Sequence, residues 1–235
     1  MQTLLEGKKI TPWELLQKKT TWEQLNFIHN QRILDFGSGG GMTADHFARD
    51  NEVIAVEPNE NMLGDRFRDH HYIQIQGDVQ ALKRFEAETF DVILCHNVLE
   101  YAAERQEILQ EFARILKKDG LLSVVKHNKT GRIMQMVVLL NNFEHASELL
   151  SGGNGQSQQF GAINYYEEND LLQWSDQFVI ERTLGIRTFW DLQQNQEIQK
   201  DPVWQERMLE IELRVSEIPD FKAIAFLHHI ILRKK

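Results

Sequence analysis

The sequence predicts an α/β fold: a mostly parallel sheet with helices on both faces. Three observations carry the prediction. From residue 32 onward, short apolar runs alternate with helix-patterned segments, the rhythm of strand–helix–strand units. A glycine-rich run, Asp35-Phe36-Gly37-Ser38-Gly39-Gly40-Gly41, directly follows the first apolar run. Acidic residues close the next two runs, Glu57 at the second and Gly77-Asp78 at the third.

The elements follow in order. Residues 12–29 read as a helix or helix pair. Residues 32–36 (RILDF) form a short buried strand and 42–50 a helix. Residues 52–57 (EVIAVE) are the next strand, 60–68 the next helix, 72–76 (YIQIQ) a third strand and 90–95 (FDVILC) a fourth. In 105–116, Ile108, Leu109, Phe112, Ile115 and Leu116 fall on one helical face. Lys117-Lys118-Asp119-Gly120 then supplies the cations and glycine of a helix C-terminus. Residues 121–126 (LLSVVK) make a fifth strand. Residues 130–166 break the rhythm with an apolar helix-like stretch and then SGGNGQSQQ at 151–159, which has the composition of a mobile loop. Residues 170–174 read as helix, 178–184 as strand and 202–215 as a long helix. Residues 223–232 (AIAFLHHIIL) are the last strand, so His228 and His229 face opposite sides of it. No internal repeat and no second core are visible. The reading is one domain over 1–235, with an N-terminal helical region at 1–31 and inserts at 130–166 and 188–221.

Bulk composition narrows the function classes. A chain of 235 residues with 42% hydrophobic and 26% charged residues is an ordinary globular protein. Its apolar runs, such as Met136-Val137-Val138-Leu139-Leu140, are too short to span a bilayer, and the first residues lack a signal-peptide layout. The expectation is a cytoplasmic protein with no membrane partner. One cysteine, Cys95, excludes an intramolecular disulfide and a cysteine zinc site, and no HExxH motif is present, so no metal is expected. A net charge of −9 speaks against broad, non-specific nucleic-acid binding.

The glycine run has the chemistry of a ligand loop. Glycines let the chain turn tightly and let a ligand approach the backbone, and the following helix start adds unpaired N–H groups. A dinucleotide loop of the form G-x-G-x-x-G starting at Gly37 needs glycine at position 42, which is Met42. The pattern that fits is D-x-G-x-G-x-G, with Asp35, Gly37, Gly39 and Gly41. Glu57, about 20 residues on, stands where an acid accepts from ribose hydroxyls. Each feature falls at the C-terminal end of a successive strand, where open parallel sheets bind ligands.

In this loop the chain resembles the class I S-adenosylmethionine-dependent methyltransferases. The resemblance implies a Rossmann-like sheet of seven strands with an antiparallel last strand, and S-adenosyl-L-methionine as cofactor. It implies cofactor contacts from Asp35, Gly37, Ser38, Gly39, Gly41, Glu57, Pro58, Met62, Asp78 and Val79, with Asp78 on the adenine amino group and Met62 at the adenine edge. Met42 reads as packing. A closer similarity is carried by Cys95-His96-Asn97-Val98-Leu99-Glu100-Tyr101, by Asn128-Lys129-Thr130-Gly131, by Asn142-Phe143 and by Gly185-Ile186-Arg187-Thr188-Phe189-Trp190-Asp191. These look like the bacterial carboxymethoxyuridine-tRNA methyltransferases, formerly grouped with SmtA proteins, and cover most of the chain from residue 32. The resemblance places His96 at the cofactor and Arg187, Tyr101 and Asn128 toward the acceptor. A guanidinium such as that of Arg187 pairs well with a carboxylate or phosphate. Three departures weaken the tRNA reading. A basic stretch of that family is here the neutral 151–159 segment. Its N-terminal arginine has no match at Gln17 or Lys18. A glycine-arginine pair before its last strand is here Ala225-Phe226.

The expected reaction is methyl transfer by in-line displacement. The acceptor on this reading is a carboxylate or hydroxyl on a modified tRNA wobble uridine, with a small molecule as the alternative. His96, Tyr101 and His127 are the candidate bases if the acceptor needs one. Two other readings compete: a binding protein that keeps the cofactor fold without catalysis, and a nicotinamide oxidoreductase, which selective binding of S-adenosylhomocysteine would refute.

Overall fold

The computed structural model describes every residue except 1, 2, 6, 7, 65 and 158–160, and only the backbone of 3–5, 8 and 9. A hairpin of β1 (Thr3–Leu5) and β2 (Lys8–Ile10) precedes α1 (Pro12–Gln24). Then follow β3 (Arg32–Phe36), α2 (Met42–Phe47), β4 (Glu52–Glu57), α3 (Glu60–Leu63), β5 (Ile73–Gln76), α4 (Val79–Leu82), β6 (Phe90–His96), α5 (Arg105–Ile115) and β7 (Leu116–His127). The insert holds α6 (Lys129–Val138), α7 (Phe143–Leu150) and the antiparallel pair β8 (Gly155–Ser157) and β9 (Gly161–Ile163). The chain ends with α8 (Glu168–Trp174), β10 (Phe178–Ile186), 3-10 turns at Trp190–Leu192 and Ile198–Lys200, α9 (Pro202–Val215), α10 (Pro219–Ile224) and β11 (Leu227–Lys234).

The main sheet has seven strands in the order β10-β11-β7-β6-β3-β4-β5. The pairs β3–β4, β3–β6, β4–β5 and β6–β7 are parallel, and the last strand is antiparallel. β4 and β6 flank β3 on opposite sides, so strand order reverses at β3, just before the glycine run.

Five sequence expectations are corrected. The N-terminal region expected to be helical over 1–31 opens with the β1–β2 hairpin, and its helix is confined to Pro12–Gln24. The helix expected over 60–68 stops at Leu63, where Gly64 caps it and the Phe67 N–H instead donates to the Gly40 carbonyl. The fifth strand, expected over 121–126, starts earlier: the helix ends at Ile115, close to the expected 116, and residues 117–120 already belong to β7. β7 starts at Leu116 opposite Phe90 and resumes pairing at Leu121 opposite Val92, with 117–120 looped out as a bulge. The last strand begins at Leu227, because Pro219 starts a helix that runs to Ile224. The glycine-rich 151–159 segment pairs in part, through residues 155–157 of β8; its residues 158 and 159 lie outside the described residues.

The chain divides into two compact units. One contains Phe27–Lys126, Tyr166–Arg182 and Ile230–Lys235. Its core joins Leu34, Ile54, Ile93, Leu122 and Val124 of the strands to Ile108, Leu109 and Phe112 of α5. The predicted apolar face of α5 is therefore the face that is buried. Phe112 meets Phe36 edge-on at 5.3 Å. Cys95 lies in this core with no exposed surface, and burial pushes its thiol up well above the usual range.

His46 of α2 is partly buried, and that burial, with Arg49 next in effect, pulls its imidazole from 6.5 down to about 4. The unfolded chain therefore binds this proton at higher pH than the folded one. The resulting stability is fully present above pH 6.5 and is lost as pH falls toward about 4. For a partly solvated ring it amounts to about 1–2 kcal/mol. Urea midpoints measured across this window should fall further for the wild type than for His46→Gln.

The second unit contains Met1–Asn26, His127–Tyr165 and Thr183–His229. Met136, Ala146 and Leu149 form a small core between α6 and α7, with Ile133 and Tyr165 against it. Leu140, Phe143 and Leu150 are exposed at 52%, 59% and 72%, an apolar rim on the same hairpin. Gly131 sits so close to the chain at Ala225 that a Cβ there would lie 2.1 Å from the Ala225 carbonyl oxygen. His229 is fully buried, its Nδ1 2.7 Å from Gln24 Oε1, while Gln24 Nε2 donates to the Gly185 carbonyl. His228 meets the Lys222 carbonyl through Nε2. The alternate facing expected of this pair therefore holds.

Candidate active site

The glycine run is fastened to the strand beside it. The N–H groups of Gly37 and Ser38 both donate to the Val56 carbonyl of β4, at 2.8 and 3.1 Å. The Gly41 N–H turns back to the Ser38 carbonyl at 3.0 Å. Gly41 has φ +76°, and a Cβ there would stand 2.1 Å from the Tyr72 hydroxyl, so glycine is required for both backbone and space. A Cβ on Gly40, in contrast, would meet nothing within 4 Å, and one on Gly39 would touch only Met62 Cε at 3.4 Å. The run is closed on one side by Tyr72 and Val98, and open at Gly39–Gly40 with Met62 on its edge.

Glu57, the last residue of β4, is 7% exposed and organises the next rim. Its Oε2 accepts from the Gly39 N–H at 2.8 Å and its Oε1 from the Asn59 N–H at 2.9 Å, across Pro58. Each oxygen keeps a lone pair for a further donor, such as a ribose hydroxyl. The Gly77 N–H donates to the Glu57 carbonyl at 3.1 Å, which brings the end of β5 beside it. There Asp78 caps α4 by accepting from the Gln80 N–H at 2.9 Å, leaving its side chain exposed and Val79 buried. Asp35 is buried between Ala55 and Leu94, two residues before the first glycine. His96 ends β6, with Nε2 2.8 Å from Ser123 Oγ of β7. All eleven residues expected at the cofactor thus lie at the C-terminal ends of β5, β4, β3 and β6 or in the segments just beyond them.

Sequence reading missed three contributors. Gln74 of β5 donates to the Ala55 carbonyl and reaches Ser38 Oγ at 3.4 Å. Its alternation with Ile73 and Ile75 was the available signal. Ser123, the lone polar residue of LLSVVK, orients His96. Tyr72 donates its hydroxyl to the Phe67 carbonyl, and burial pushes its phenol up to about 12, so it stays a neutral donor.

The three acceptor-side candidates are placed differently. Tyr101 lies in the turn beyond β6, its N–H on the Val98 carbonyl at 2.9 Å. Asn128 is employed within the chain: it caps α6 through Thr130 and donates to the Ala223 and Ala225 carbonyls. Its amide is thus a brace, and nothing in its bonding presents it to a ligand. Arg187 is 4% exposed, with φ +61°. Its guanidinium pairs with Asp191, donates to Gln17 and lies between the rings of Trp13 and Phe226 at 4.8 and 4.4 Å. That internal pairing is the opposite of an open anion clamp. Its buried Nε has no hydrogen-bond partner. The segment after Arg187 is held by Glu212 of α9, which is fully buried and accepts from the backbone N–H groups of Thr188, Phe189 and Trp190 at 2.7, 2.8 and 3.1 Å. Burial pushes its carboxyl up, against the pull of those three donors.

Among the described residues no cluster of His, Cys, Asp and Glu is arranged for a metal, and no helix is long and apolar enough to cross a membrane.

A family model described as a methyltransferase domain matches residues 34–124, the segment from β3 through most of β7. With the glycine run, the Glu57 rim and the strand order, this makes the chain an S-adenosylmethionine-dependent methyltransferase of the class I, Rossmann-like fold. Its cofactor is S-adenosyl-L-methionine, and the open Gly39–Gly40 cradle with the Glu57 carboxylate suits that molecule. The chain is similar to the tRNA 5-carboxymethoxyuridine methyltransferase of Escherichia coli O157:H7, at 24% identity over 93% of this chain and 88% of that one. It is also similar to the ubiquinone biosynthesis O-methyltransferase of Actinobacillus pleuropneumoniae serotype 5b, at 27% identity over 66% of this chain and 67% of that one. The fold matches an S-adenosylmethionine-dependent methyltransferase from Mesorhizobium loti with a TM-score of 0.56 at 14% identity, covering 93% of this chain and 100% of that one.

Proposed function

We propose that the acceptor is a carboxylate or hydroxyl on a modified wobble uridine of tRNA. One observation carries this reading: the similarity to the tRNA enzyme extends over 93% of the chain, inserts included, while that to the ubiquinone enzyme spans 66%. The reading carries a cytoplasmic location and tRNA as partner. S-adenosylmethionine supplies an activated methyl group. The chain's task is to hold both reactants in line, which is worth about 7–11 kcal/mol of barrier. Glu57 and the glycine run would hold the nucleoside end, and Ser123 sets the ring of His96. A carboxylate acceptor needs no base; a hydroxyl would draw on His96, Tyr101 or His127.

The ubiquinone enzyme, at the higher identity of 27%, supports a second reading with a small-molecule oxygen acceptor. The deciding experiment gives the protein labelled cofactor, tRNA from a methyltransferase-deficient strain and a small-molecule extract. Label in tRNA supports the first reading and label in the extract the second. Tight cofactor binding with no labelled product points to a non-catalytic protein.

Arg187 does not serve as the acceptor's anion contact: its guanidinium is committed to Asp191 and Gln17 between the rings of Trp13 and Phe226. Arg187→Lys should therefore lower stability by about 1–3 kcal/mol, read as a fall in the urea midpoint, at an unchanged KM for hypomodified tRNA. A tenfold rise in KM at an unchanged midpoint would restore the anion contact.

A further inference from the structure

We infer that Asp45 and His70 are positioning residues for the cofactor, clasping the segment after α3 onto the glycine run. Asp45, in α2, has a side chain only 5% exposed. Both of its oxygens go to one residue: Oδ1 accepts from the His70 backbone N–H at 2.8 Å, and Oδ2 lies 3.1 Å from His70 Nδ1. Three residues earlier, the Phe67 N–H donates to the Gly40 carbonyl at 2.8 Å. Two residues later, Tyr72 donates to the Phe67 carbonyl and fills the space beside Gly41.

The Gly40–Gly41 peptide is therefore held at both ends, its carbonyl by Phe67 and its N–H by Ser38. Its orientation fixes the open face at Gly40, where a Cβ would meet nothing. A loop held in its binding shape loses less freedom when the ligand arrives, so the clasp acts on affinity. The clasp is also separable from the core. The His70 side chain is 37% exposed, and it is not among the residues of the buried core.

The test is calorimetric binding of S-adenosylhomocysteine, with amide exchange read at Phe67. Asp45→Ala removes the acceptor that the His70 N–H and ring share. It should raise the Kd about tenfold and speed exchange at Phe67. His70→Ala keeps the backbone bond and should cost about threefold, while His70→Asn restores a side-chain donor and should bind like the wild type. An unchanged Kd in Asp45→Ala, or a loss in His70→Ala that His70→Asn does not recover, overturns the inference. If Asp45→Ala does not fold, the His70 pair decides alone.

Discussion

Glu57→Ala is expected to raise the Kd for S-adenosylhomocysteine by about a hundredfold or more while leaving the chain folded. Two effects add. The carboxylate that would meet the ribose is removed, and the Gly39 and Asn59 N–H groups lose their acceptor. The glycine run keeps its two bonds to Val56, so the fold survives while the rim loosens. Glu57→Gln separates the contributions, because the amide oxygen can hold one of the two N–H groups. It should lie between wild type and alanine. Isothermal titration measures both, and equal affinities for all three proteins would show that the rim does not touch the cofactor.

The second large effect concerns stability. Glu212→Ala leaves the N–H groups of Thr188, Phe189 and Trp190 without their acceptor in the interior. Stranding such donors, with loss of a buried charge-assisted cap, should cost about 3–5 kcal/mol. Urea unfolding followed by tryptophan fluorescence reads it directly, since Trp190 sits in the affected turn and meets Trp204 at 5.0 Å. Glu212→Gln keeps one oxygen acceptor and should lose less. A cost below about 1 kcal/mol for the alanine variant would show that water replaces the carboxylate.

The strand-end placement of the candidate cofactor residues was readable in the sequence because the signals are local. Asp35 through Gly41 is one continuous run, and Glu57 and Asp78 follow it at the next two strand ends. Continuous apolar strands such as RILDF and EVIAVE announce burial on both faces. What escaped was non-local or unmarked. Glu212 sits in PVWQERMLEIELRV among other glutamates, and nothing in that string says which one turns inward to a loop 22 residues away. The end of the helix begun at Glu60 was signalled by Gly64, but the periodicity of the residues beyond it concealed the stop. The last strand was read too early because AIAFLHHIIL is apolar throughout. The boundary signal was Pro219 at a helix start, upstream of the run. Arg187 shows the remaining gap: its residue type suits an anion, but whether the guanidinium is committed to Asp191 is a matter of packing that spacing does not encode.

Cys95 has a practical consequence. It is the chain's single cysteine, it has no exposed surface, and its thiol stays protonated far above neutral pH. Maleimides and iodoacetamides should therefore leave the native protein unmodified. A cysteine introduced at an exposed position becomes a unique chemical handle without first deleting the native one. Fluorophores or spin labels can then report on the insert hairpin or on the segment around His70 in an otherwise unaltered enzyme.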